Sequence, residues 1–208
     1  MSLKIEHLDE QGYQLQAVLQ HEELVPFIQD IFKKPNVITR LFILLNIALL
    51  AWLLGWMVYE MVAQDRSFGW VLIQLGLGIL LILPVIPLHE WLHGMAYKLL
   101  GAQKVNYTAN FKKFYFTAQA HHFIVGENGF YWLAFTPFVM INSMIIALMF
   151  VLPVSYLLLL ISFLFMHTTA CGGDFALAAY FYSRRNTGLI TFDDVPAKKT
   201  YFYTPVFE

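Results

Sequence analysis

The sequence predicts an all-α polytopic membrane protein, with about four transmembrane helices and a small β-hairpin between the second and third. Three observations predict it. Hydrophobic residues make up 59% of the 208 and charged residues only 13%, against a charged share of about 25% in soluble domains. A soluble fold of this size cannot hide that much apolar surface, so lipid is the simpler solvent. Four apolar segments reach the length of about 20 residues that a bilayer requires. After the second of them, apolar and polar residues alternate with period two.

The first segment runs from Leu41 to Val62. The second runs from Trp70 to Leu100, with Pro84 and Pro87 as predicted kinks because proline removes a backbone donor. The third covers Phe130 to Leu152 and the fourth Val154 to Tyr182. No apolar run begins near Met1, so no cleavable signal peptide is expected and the first span serves as the insertion signal. Between spans two and three, Val105, Tyr107, Ala109 and Phe111 alternate with polar residues, as do Phe114, Phe116, Ala118 and Ala120. That pattern predicts two paired strands.

Three regions follow: an N-terminal segment over 1–38, a four-span domain over 39–183 and a tail over 184–208. In the first, Leu24, Phe27, Ile28, Ile31 and Phe32 recur at helical spacing before Pro35. They predict an amphipathic helix that either lies on the inner membrane face or packs on the protein. Lys4, Lys33, Lys34 and Arg40 precede span one, Lys98, Lys104, Lys112 and Lys113 follow span two, and Arg184, Arg185, Lys198 and Lys199 follow span four. The opposite loops carry Arg66 alone. Positive residues stay inside, so both termini and the central loop are expected in the cytoplasm.

The net charge of -1 gives no basic excess for nucleic acid binding. The single Cys171 excludes an internal disulfide and a multi-cysteine zinc site. The expected partner is the lipid bilayer.

The chemistry sits in His89-Glu90-Trp91-Leu92-His93. Four-residue spacing puts both imidazoles on one helical face, one turn apart, where they can share one tetrahedral Zn²⁺. Glu90 is placed to act as the catalytic general base on a water. Ionisable groups inside a span are expensive without partners, which favours a functional site over chance. A catalytic zinc needs a third protein ligand and an open position. Asp174 is favoured, as the one charged residue of span four; His167 is the alternative, as a ligand or as a donor behind one. Seven residues separate the two, which predicts one helical face. Gly172 and Gly173 are expected to let helices approach closely. His121 and His122 are expected to be exposed.

In this motif order the chain resembles the site-2 protease class of intramembrane zinc proteases. It is most similar to a bacterial family of small four-span zincins. His89-Glu90-Trp91-Leu92-His93-Gly94 lies late in an apolar helix. Thr136-Pro137-Phe138-Val139-Met140-Ile141-Asn142 is similar to the Gly-Pro…Asn stretch of the class's middle helix. Gly172-Gly173-Asp174 stands where the class has an Asp-Gly-type motif that supplies the third ligand. Thr136 replaces the Gly, and glycine precedes Asp174 instead of following it. The resemblance implies hydrolysis of a membrane-protein or peptide substrate by zinc-activated water, a place in a bacterial plasma membrane, and a hairpin that pairs with extended substrate. Asn142, Asn110 and Phe111 are the candidate substrate-binding residues. Two further functions fit the composition: a non-enzymatic scaffold or chaperone with a structural or vestigial metal site, and a metal-dependent lipid hydrolase.

Overall fold

The computed structural model describes residues 5–110 and 115–206. Helix α1, Leu24–Lys33, ends before Pro35. Helix α2, Val37–Val62, starts at a capping box: the Asn36 carboxamide oxygen accepts from the Ile38 and Thr39 amides, and Thr39 Oγ1 accepts from the Asn36 amide. The same Asn36 Nδ2 donates to the Ala179 carbonyl at 2.7 Å, which fixes the start of α2 against a later helix. Helix α3, Phe68–Leu80, is capped by Ser67 Oγ on the Trp70 amide. It breaks at Leu81, and α4 follows over Ile82–Leu99. Pro84 accounts for the break, because its ring and missing N–H both oppose the carbonyl of Leu80. Helix α5 is Glu127–Val151, with Pro137 inside it. Helix α6, Leu157–Ala170, and α7, Gly172–Ser183, are separated at Cys171 and bent by 44°.

Among the described residues, three helical stretches are long and apolar enough to cross a bilayer: Val37–Val62, Phe68–Leu99 and Glu127–Val151. The bent pair α6–α7 makes a fourth if counted as one span. The continuous fourth helix expected from the sequence is therefore corrected to two. Leu44, Ile47, Leu54, Ile73 and Leu80 are each more than half exposed, an outward face that suits lipid.

Two sheets accompany the helices, so the all-α expectation with a single hairpin is also corrected. The smaller sheet pairs β2, Asn106–Asn110, with β3, Tyr115–Gln119, and lies between α4 and α5. The larger is antiparallel, in the order β1-β6-β5-β4. Its strands are β1 (Tyr13–Gln20), β4 (Val125–Gly126), β5 (Ile190–Asp194) and β6 (Lys199–Pro205). Both terminal segments therefore meet in one sheet, Tyr13 opposite Pro205 and Gln20 opposite Lys199.

The larger sheet docks on the helices through aromatic rings. Phe202 of β6 packs on Tyr180 of α7 at 4.9 Å between centroids, and Phe130 of α5 stacks on Phe181 at 4.1 Å. Phe27 of α1 joins this group, so α1 turns its apolar side to the protein. Close helix crossing occurs at Gly78, where an added Cβ would lie 2.7 Å from Ser162 Cβ on α6. Gly172 and Gly173 do not play that part: their nearest side chains are at 3.5 and 3.6 Å, ordinary contact.

Candidate metal centre

Helix α4 carries His89, Glu90 and His93 on the face opposite exposed Trp91 and Leu99. Asp174 enters from the first turn of α7, just past the break at Cys171. The helix break aims its carboxylate between the two imidazoles. His89 Nε2 lies 3.1 Å from His93 Nε2 and 3.2 Å from Asp174 Oδ2; His93 Nε2 lies 3.3 Å from Asp174 Oδ1.

The opposite ring nitrogens are committed elsewhere. His93 Nδ1 donates to the Leu133 carbonyl of α5 at 3.0 Å. His89 Nδ1 faces His167 Nε2 at 3.4 Å, and His167 Nδ1 faces Asn142 Oδ1 at 2.7 Å. Asn142 Nδ2 donates to Thr168 Oγ1 at 2.9 Å. A carboxamide oxygen only accepts, so His167 carries its proton on Nδ1. Its Nε2 then accepts from His89 Nδ1–H. Both Nε2 atoms of the pair are left as lone pairs, aimed at each other and at a carboxylate. Such a set repels itself unless a proton or a metal ion lies among the three.

The distances fit zinc. Ligands about 2.0–2.1 Å from a tetrahedral zinc lie about 3.3 Å from one another. The three separations of 3.1, 3.2 and 3.3 Å agree with that edge. Two His and one carboxylate leave the fourth corner open, as in catalytic sites. His167 is gathered with His89 and Cys171 instead, on the far side of the His89 ring. Its place is behind His89, where it holds that ring as a hydrogen-bond partner.

The Glu90 carboxylate comes within 4.8 Å of the His89 and His93 nitrogens. The Ala118 amide of β3 donates to Glu90 Oε2 at 2.8 Å. That amide points away from β2, so β3 presents an edge to the centre. Gly94 makes the approach possible, because a Cβ there would lie 2.7 Å from Tyr107 Cζ of β2.

Two cavities meet at Glu90. One, of about 310 Å³, is lined by Glu90, His93, Asp174, Ala118 and by His21 and Asp193 at the larger sheet. The other, of about 230 Å³, is lined by Ile82, Val85, Ile86, Phe116, His89 and Glu90. At the sheet wall, Asp193 accepts from Thr200 Oγ1 at 2.6 Å and from Tyr97 Oη at 3.4 Å. Burial holds the Asp193 carboxyl above its ordinary pKa and His21 below its own.

Of the sequence candidates, His89, Glu90, His93, Asp174 and His167 come together. Asn142 is buried, with its side chain engaged by His167 and Thr168. Asn110 ends β2 opposite Tyr115, and Phe111 lies outside the described residues. His121 and His122 are exposed, as expected, beside Asp194. Leu133, His21 and Asp193 were not singled out in the sequence, and Ala118 only as a strand position. Only Leu133 had a signal there: Pro137, four residues on, leaves its carbonyl without a helical donor.

A family model described as "putative zincin peptidase" matches residues 82–188, from the start of α4 to just beyond α7. No curated protein and no solved structure matches the chain.

Proposed function

Since the chain belongs to the family described as "putative zincin peptidase", we propose that it is a zinc-dependent peptidase of the site-2 protease type, cleaving peptide segments within or beside the membrane. One observation carries the reading: two imidazole nitrogens at 3.1 Å from each other, each within 3.3 Å of an oxygen of the Asp174 carboxylate, with Glu90 beside them.

His89 Nε2, His93 Nε2 and one oxygen of Asp174 would hold the metal. Zinc bound there supplies Lewis acidity, polarising a carbonyl and bringing a water's pKa toward neutrality. Glu90 takes the proton of the attacking water and delivers it to the leaving amide nitrogen as the C–N bond breaks. The Ala118 amide fixes Glu90 Oε2 and leaves Oε1 for that proton. An extended substrate can add to the outward edge of β3, whose backbone groups give affinity without demanding a sequence. The apolar cavity of Ile82, Val85, Ile86 and Phe116 suits the side chains of an unwound membrane segment.

Glu90→Gln keeps the shape of the side chain and removes the proton acceptor. The variant should keep its zinc and lose at least about 10²-fold in hydrolysis, the low end for general base catalysis. Cleavage products in cell membranes, compared between wild type and variant, give the readout. Identical products from Glu90→Gln and wild type, with His93→Ala altered, would make the metal structural and the protein a scaffold.

A further inference from the structure

A carbonyl four residues before an internal proline has no helical donor. In α5 that carbonyl belongs to Leu133, because Pro137 inside the helix has no N–H. Leu133 is buried, and a buried unpaired carbonyl is costly. The cost is met by one group from another helix: His93 Nδ1 donates to Leu133 O at 3.0 Å.

The contact does more than satisfy a carbonyl. It sets which nitrogen of His93 carries the proton, and so which one has the lone pair facing His89 and Asp174. It also fixes the ring's rotation. Partners of this kind raise ligand basicity and hold its orientation. An ordinary helix would share the same carbonyl with the amide of residue 137, in line with the helix axis and away from the imidazole.

We propose that Pro137 is a positioning residue of the metal centre: by withholding its N–H it reserves the Leu133 carbonyl for His93. The role rests on the zinc reading above, and it acts through a missing donor and not through the bend that proline imposes.

The test separates those two effects and needs no substrate. Zinc affinity of the full chain is measured by competition with a chelator in detergent. Pro137→Ala restores the competing N–H, and affinity should fall about 10–100-fold, the usual loss for a ligand's hydrogen-bond partner. The thermal unfolding midpoint of the zinc-free protein should not fall, since alanine favours the helix. In a third protein, an α-hydroxy acid with the alanine side chain replaces Pro137. Its ester has neither ring nor N–H, so affinity should return to within about threefold of wild type. Unchanged affinity in Pro137→Ala would overturn the proposal. So would an ester variant as weak as Pro137→Ala, which would assign the effect to the ring. Either result leaves the peptidase reading intact, whereas a wild type that binds no zinc overturns both.

Discussion

Each imidazole at the centre gives its two nitrogens different tasks. Nε2 turns inward to the shared space, and Nδ1 turns outward to a partner that fixes it: a carbonyl for His93, a third histidine for His89. The division decides the role of His167. Sequence spacing puts residues 167 and 174 on one helical face, but the break at Cys171 and the 44° bend separate them. Asp174 reaches the inward side, and His167 reaches the outward side of His89. The His89–His93 pair and the unusual Asp174 were legible because a four-residue spacing and a lone charge in an apolar run are local signals. The order of His167, Asn142 and Thr168 was not, since it depends on how two helices face each other.

At the scale of elements, α4 and the small sheet act as a unit. Gly94, the residue after the motif, allows Tyr107 to lie on the helix, and this contact brings β3 to Glu90. Gly94→Ala should push the exposed ring tip of Tyr107 aside, which offsets part or all of the roughly 1 kcal/mol that alanine gains over glycine in a helix. Gly55 has nothing within 4 Å of a built Cβ, so Gly55→Ala should be neutral or stabilising by up to about 1 kcal/mol. Unfolding measured on the two variants and wild type checks the pair, and a Gly94→Ala protein as stable as Gly55→Ala would contradict the packing. The period-two alternation made β2 and β3 legible. Gly94 was quoted in the motif, yet its reason lies 13 residues away in the chain and emerges only once the strand is folded back.

On the scale of the molecule, the sheet of four strands joins the first and last parts of the chain beside the metal centre. The helical, apolar character was legible from composition, because lipid-length runs need no partner to be recognised. The sheet was not. Its strand β4 has only two residues, and β1 finds β6 across nearly the whole chain, with a register shift between Leu15 and Ala17 that interrupts the alternation. Because β1 and β6 pair, the two termini must share a side of any membrane the helices cross, and we propose from the lysine and arginine bias that this side is the cytoplasm. Reporters fused at Met1 and Glu208 should both give cytoplasmic signals, and reporters inserted near Gln64 and Pro153 external ones. A cytoplasmic signal at Pro153 would break this topology.

Zinc content tests the central claim most directly. Wild type and single variants, purified in parallel and analysed for metal, should divide by the ligand set. Wild type should hold about one zinc per chain, as one mononuclear site requires. His93→Ala and Asp174→Ala should lose it, while His167→Ala, which removes only a partner of His89, should keep it at saturating zinc with affinity lowered about 10–100-fold. Full zinc occupancy in purified His93→Ala protein would contradict the account.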